Sequence, residues 1–130
     1  MFNLQEQTEA AQAQERGIEV DLIDPKTRES TGAKIILAGL DSRRARAARR
    51  TAWQHVLAAR SDPNLTEDDH RAAGTRMLAG CVISWEGFTR DGEQPLECTL
   101  ENVLAVFEQV PWVEDECDLR VGNRANFTKA

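Results

Sequence analysis

The chain has no tyrosine, few aromatic residues and no long apolar run. Only 5% of its 130 residues are aromatic, whereas 41% are apolar. This composition predicts a modest, aliphatic and alanine-rich core within a single domain. No apolar stretch approaches the roughly 18 residues that mark a membrane helix, and the N-terminus lacks a signal-peptide pattern. We therefore expect a cytoplasmic protein with no membrane partner.

The residue types of common catalytic and metal sites are scarce and badly spaced. The three cysteines, Cys81, Cys98 and Cys117, form no CxxC pair, so they predict free, mostly buried thiols rather than a zinc site. Neither His55 nor His70 has converging ligands around it. The sequence also lacks a phosphate-binding loop and a nucleophile beside a base. These absences predict a protein that is not an enzyme and holds no metal or cofactor.

Charge is divided unevenly along the chain. Residues 1–60 carry ten Lys/Arg and eight Asp/Glu, whereas residues 61–130 carry six and fourteen. The run Arg43–Arg50 could contact nucleic acid, but an acidic protein lacks the positive footprint that such binding needs. We interpret the run as a solvated helix face that contacts the acidic half or another copy. A DNA-binding regulator stays the less favoured alternative.

Apolar alternation predicts strands near the N-terminus. Residues 1–16 are rich in Gln, Glu and Ala and are interpreted as a flexible N-terminal arm or a solvated helix. Ile18, Val20 and Leu22 then alternate with acids, as in a half-buried strand. A second short strand over Ala33–Ala38 completes a predicted antiparallel hairpin.

Helical spacing dominates the rest of the chain. One helix is predicted from Arg43 to Arg60, before a break at Pro63. A second is predicted from Thr66, as its cap, to about Trp85, with Thr99 capping a third. Pro111 is expected to end the third helix and to open a fourth. The predicted fold is α+β and mainly α-helical, with an N-terminal β-hairpin followed by about four helices in one domain over residues 17–127.

Large aromatic side chains are the candidates for protein contacts. For Trp53, Trp85 and Trp112 the favoured interpretation is burial in the core, because tryptophan buries a large area. The alternative is an exposed anchor in an interface, where tryptophan is over-represented. Trp112 follows Pro111 at a helix junction and is expected to be partly exposed. The candidate protein-binding residues are Trp85, Phe107 and Trp112.

The order of these features resembles the tail assembly chaperones of long-tailed, siphovirus-type bacteriophages. The resemblance covers residues 17–127, and each of its motifs alone is only a turn, a cap or a helix stop. The matching segments are Gly17–Pro25, Thr31–Ile35, Gly80–Gly87, Asp91-Gly92-Glu93, Thr99–Val103, Val110-Pro111-Trp112 and Phe127.

The resemblance implies a non-enzymatic role in the host cytoplasm during phage or prophage growth. Such chaperones bind the helix-rich tape-measure protein and keep it soluble while tail-tube subunits assemble around it. In many relatives a ribosomal frameshift yields a longer product that recruits the tube protein. The resemblance implies absence from the mature virion, and several copies per client would make a homo-oligomer. A small structural virion or tail-completion protein is the main alternative.

Overall fold

The computed structural model describes residues 1–59 and 67–127. In this part of the chain it contains five α-helices, a short 3-10 helix and a three-stranded antiparallel sheet. The elements are α1 (Leu4–Arg16), β1 (Ile18–Ile23), β2 (Ser30–Leu37), α2 (Arg43–Ala59), α3 (Glu67–Gly80), β3 (Val82–Glu86), α4 (Leu100–Gln109), α5 (Pro111–Val121) and the 3-10 helix Arg124–Phe127. The fold is α+β and mainly helical, as the sequence predicts.

Residues Leu4–Arg16 form the helix α1, which is the second of the two interpretations of this segment, the flexible arm being the first. Asn3 caps α1 by accepting hydrogen bonds from the backbone N–H groups of Gln5 and Glu6, at 3.0 and 3.3 Å. Such a side-chain cap satisfies donors that the first turn leaves free. The last turn buries Ala13 and Gln14. A helix therefore precedes the hairpin and belongs to the domain.

The predicted hairpin is present and forms two thirds of the sheet. β1 and β2 pair antiparallel, with Val20 opposite Ile35, and β3 joins the other edge of β2, with Ile35 opposite Trp85. Alternate side chains point to one face, where Val20 and Ile35 are buried. The opposite face carries Glu19 and other polar groups.

The helix predicted to reach Trp85 ends five residues earlier, so that prediction is wrong for residues 82–86. α3 stops at Gly80, and Val82–Glu86 form β3. The β-branched pair Val82-Ile83 favours a strand. Pairing with β2 also satisfies the backbone hydrogen-bonding groups of this segment. These hydrogen bonds to a distant strand outweigh the weak helical pattern of the local sequence.

Most of the predicted helix starts are confirmed. Ser42 caps α2, since its Oγ accepts the N–H of Ala45 at 3.0 Å. Thr99 caps α4 through the N–H of Asn102 at 3.1 Å, and Pro111 is the first residue of α5. The expected break at Pro63 and cap at Thr66 lie outside the described residues.

A single core lies between the inner face of the sheet and the helices. α3 packs against α2, α4 and α5, and α4 packs against α5. The largest fully buried side chains include Phe107, Leu22, Ile35 and Leu37. Phe107 is only 1% exposed and sits in the main cluster with the sheet residues.

A polar junction joins three distant parts of the chain. The Gln14 side chain donates to Asp41 Oδ2 at 2.9 Å and accepts the Asp41 N–H at 2.7 Å. Arg124 donates to both carboxylate oxygens of Asp41, at 2.7 and 3.0 Å. The hydrogen bonds from Arg124 are the main reason that the pKa of Asp41 falls to about 2. The junction fixes α1 and the 3-10 helix to the start of α2.

We expect Asp41→Asn to destabilise the protein at neutral pH and much less in acid. The folded-state pKa lies below the unfolded value of 3.8, so this stability is present above pH 4 and is lost as the pH falls through about 2. Because the side chain is 44% exposed, solvent screening limits the cost to about 1 kcal/mol. Urea unfolding of the wild-type and Asp41→Asn proteins at pH 7 and pH 2.5 measures how far their free energies of unfolding converge. An equal difference at the two pH values would contradict the stabilising role of the ionised Asp41 carboxylate.

Substitution of two glycines distinguishes the energetic cost of a left-handed backbone conformation from the cost of a steric clash. Gly17 and Gly32 have φ values of +81° and +83°. A Cβ on Gly17 would lie 2.6 Å from the Leu37 carbonyl oxygen, whereas one on Gly32 would meet nothing within 4 Å. We expect Gly32→Ala to cost about 1 kcal/mol and Gly17→Ala about 2–4 kcal/mol, measured by urea unfolding. Equal losses in the free energy of unfolding would show that the contact between a Cβ at position 17 and the Leu37 carbonyl oxygen relaxes without cost.

Candidate protein-binding groove

Small residues bring α2 and α3 close together. Gly80 faces Ala48, and a Cβ on Gly80 would lie 2.4 Å from the Cβ of Ala48. Ala45 and Ala52 are buried on the same side of α2. Short side chains let two helices approach closely, but they fill little of the space above the contact. The result is a shallow depression beside the helix pair.

An apolar cavity occupies this depression. Its volume is about 290 Å³, and it is lined by Ala48, Thr51, Ala52, Arg76, Gly80 and Leu100. Leu100 is the first residue of α4 and is 52% exposed. An exposed leucine beside several small side chains is typical of an apolar binding surface rather than of a catalytic or metal site.

A second cavity continues along α3. It has a volume of about 360 Å³ and lies between α3, α4 and α5, with Ala72, Leu104, Glu108 and Glu114 in its lining. Arg76 lies between the two cavities and lines both, and the two cavities together are here named the α3 groove. Thr75 donates a hydrogen bond to Glu114 at 2.7 Å, which fixes the α5 side of the groove to α3.

The dimensions of the α3 groove suit a helix. The lining residues of α3 run from Arg71 to Gly80, which spans about 14 Å at the rise of an α-helix. This length accommodates between two and three helical turns. The end near Leu100 is apolar, whereas Arg71, Glu108 and Glu114 make the other end polar and of mixed charge. An amphipathic helix with a short apolar face matches this gradient.

The three candidate contact residues lie outside the α3 groove. Trp85 stacks on Phe88 with ring centroids 4.1 Å apart, and its indole N–H donates to the Leu96 carbonyl at 2.7 Å. It also borders a cavity of about 190 Å³ with residues of the outer sheet face, Glu19 among them. Phe107 is buried, and Trp112 is partly buried against the core. In this structure Phe107 has no surface with which to touch a partner.

Trp53, rather than Trp112, is the most exposed of the three tryptophans. Trp53 is 50% exposed, so core burial is wrong for this residue. Its ring contacts only the edge of the helix pair, at 6.4 Å from the ring of His70. The cause is position: Trp53 lies on the face of α2 that turns away from the buried Ala45 and Ala52. Trp112 is intermediate in exposure, which confirms the prediction that it is partly exposed.

The thiols behave as buried apolar groups. Burial raises the pKa of Cys81 to about 11 and that of Cys117 to about 12, and it also raises the pKa of Cys98. A thiol with a raised pKa is a poor nucleophile at neutral pH. Among the described residues, no cluster of His, Cys, Asp or Glu is arranged to hold a metal ion. Nor does any described helix have the length and apolar character to cross a membrane.

Sequence reasoning missed the α3 groove because its lining looks like ordinary packing. In the sequence, Ala48 and Ala52 have the helical spacing of a buried face, and Leu100 directly follows the Thr99 cap of an amphipathic helix. The available signal was the number of small residues in facing helices, Ala48 and Gly80 above all. Small side chains permit close approach, but only the structure shows that the space beside them stays open. No family model, curated protein or solved structure matches this chain.

Proposed function

We propose that the chain is a phage tail assembly chaperone that holds helical segments of the tape-measure protein in the α3 groove. The groove is the observation that carries the proposal, because it is apolar at one end, open to solvent and long enough for a few turns of a helix. The resemblance of residues 17–127 to such chaperones supplies the identity of the client.

The chemistry of the client fits this surface. A tape-measure protein is a long helical chain whose apolar faces stay uncovered until the tail tube encloses them. A groove that takes one face of an amphipathic helix shields it without any covalent step or nucleotide. Each contact is short, so several chaperone copies would act along one client. The role is accordingly non-enzymatic.

The charge of the chain supports the same role. With a formal net charge of −6, the domain adds like charge to every client segment that it covers. Net charge far from zero keeps proteins apart in solution and suppresses precipitation. The chaperone would act in the host cytoplasm and be absent from the mature virion. A longer frameshifted product would recruit the tail-tube protein.

Co-expression with the tape-measure protein of the same phage tests the proposed function. We expect the tape-measure protein to be insoluble alone and to become soluble and to co-purify when this chain is present. A tape-measure protein that stays insoluble at equal expression would contradict the proposal.

Mass spectrometry of purified phage particles distinguishes the proposed chaperone from the alternative, a structural tail protein. The chaperone is expected to be absent from them. Its presence in stoichiometric amounts would favour a tail-completion protein instead.

A further inference from the structure

One face of α2 is basic and apolar, and little of the described domain touches it: the Glu15 carboxylate accepts the Arg43 backbone N–H at 2.7 Å, and the Trp53 ring lies 6.4 Å from that of His70. Arg43, Arg46, Arg50, Trp53 and Leu57 are all exposed and recur every three or four residues, which places them on one side of the helix. We name this surface the α2 stripe. It combines three cations with two large apolar side chains, a composition typical of protein interfaces rather than of a solvated face.

No salt bridge between described residues neutralises the side-chain charges of the α2 stripe. α2 itself, RRARAARRTAWQHVLAA, contains five arginines and no acidic residue. Between described residues, the ion pairs join Lys34, Arg120 and Arg124 to acids, and none of them involves the arginines of the stripe. In the part of the chain that the structure describes, the three cations of the stripe therefore form no ion pair and lie next to exposed Trp53 and Leu57.

A surface of opposite character lies on α5. Asp115, Asp118 and Leu119 are exposed, and their spacing of three and four residues puts them on one face. We name this surface the α5 face. The whole helix carries four acids against one arginine. Like the α2 stripe, the α5 face joins charge of one sign to an exposed large apolar side chain, here Leu119.

We propose that the α2 stripe binds the α5 face of a second copy of this chain. The two surfaces match in charge, and each supplies an apolar side chain for the centre of the contact. They are different patches of the molecule, so the contact is heterologous and each copy keeps one free α2 stripe and one free α5 face. Repetition of the contact builds an open chain of molecules.

On α2, this contact leaves the apolar end of the α3 groove accessible. Ala48 and Ala52, which line that end, lie on the opposite side of α2 from Arg46, Arg50 and Trp53. On α5 the contact lies closer to the groove, because Asp118 is one turn from Glu114, which lines the polar end. A head-to-tail chain would therefore leave the apolar end of each groove open. The inference goes beyond the proposed function and does not depend on the identity of the client, because it concerns the isolated protein.

Sedimentation velocity of the isolated protein tests the inference with two charge-reversal variants. One is Arg46→Glu/Arg50→Glu in the α2 stripe, and the other is Asp115→Lys/Asp118→Lys in the α5 face. The wild-type protein is expected to sediment faster as its concentration rises at low salt, and to do so much less in 1 M NaCl. Each variant alone is expected to associate more than about tenfold more weakly, because like charges then face each other.

Mixing the two variants is the decisive step. Each keeps one intact surface, and the two reversed surfaces are again opposite in charge, so an equimolar mixture is expected to recover the association that neither variant shows alone. Circular dichroism confirms that both variants are folded, which is expected because all four positions are exposed. A wild-type protein that stays monomeric at low salt, a single variant that associates like wild type, or a mixture that stays monomeric would each overturn the inference. Wild-type-like association of the α5 variant alone would indicate a symmetric contact through α2 instead.

Discussion

Phe107→Ala is expected to lower the free energy of unfolding by about 3–5 kcal/mol. The side chain is 1% exposed and contacts the core formed by the sheet and by α3, α4 and α5. Removing it takes away apolar burial and leaves a cavity that rigid neighbours on several elements cannot fill. Since single domains are stable by about 5–15 kcal/mol, this loss would remove between about a fifth and the whole of the stability.

Urea unfolding followed by circular dichroism measures this loss. Leu4→Ala is the control, because Leu4 is an apolar residue that is exposed on α1, and its truncation should change stability by less than about 0.5 kcal/mol. A Phe107→Ala protein as stable as the control would contradict the position of Phe107 in the core. The result also decides how Phe107 affects binding: any loss of client should follow the loss of fold.

Leu100→Asp is expected to weaken binding of the tape-measure protein at least about tenfold while leaving the fold intact. Leu100 lines the apolar end of the α3 groove and is half exposed, so an aspartate there places a charge against the apolar face of the client. Because residue 100 begins α4, an acid at this position interacts favourably with the helix dipole and does not unwind the helix.

Leu4→Asp is a matched control for this variant. Leu4 is likewise the first residue of a helix, follows a side-chain cap and is 72% exposed, but it lies on α1, away from the α3 groove. Pull-down of the tape-measure protein with both variants, at equal expression, compares them. If both variants bind the client as strongly as the wild-type protein, Leu100 does not contact the client. If binding is weakened equally in both, the effect is a general one of surface charge.

Local signals in the sequence predicted much of the fold. The alternation around Val20, the cap at Thr99 and the proline at the start of α5 each depend on neighbours within a few residues. Such features are encoded locally, because capping and periodicity involve short-range hydrogen bonds and one buried face.

The errors arose where distant residues decide the outcome. Val82–Glu86 form a strand because β2 is available to pair with them, and the paired residues of β2 lie about fifty positions earlier in the chain. Residues 4–16 have low apolar content, yet α1 is fixed by Gln14, whose partner Asp41 lies in the loop before α2. No window of neighbouring residues contains either partner.

The candidate site was the least predictable part. Composition favoured large aromatic side chains as contacts, but Phe107 is in the core and Trp85 is held by Phe88 and by the Leu96 carbonyl. The α3 groove instead comes from small side chains on facing helices. Whether the space beside such residues is filled or open depends on where α4 begins, and this is a property of the tertiary structure.

Site-specific photo-cross-linking tests the central claim most directly. A benzophenone amino acid placed at Thr51 would lie in the α3 groove, and one placed at Glu19 would lie in the cavity on the outer sheet face that Trp85 borders. After co-expression and irradiation, we expect the tape-measure protein to be cross-linked from position 51 and not from position 19. Cross-linking from position 19 alone would contradict the groove and assign the client to the sheet.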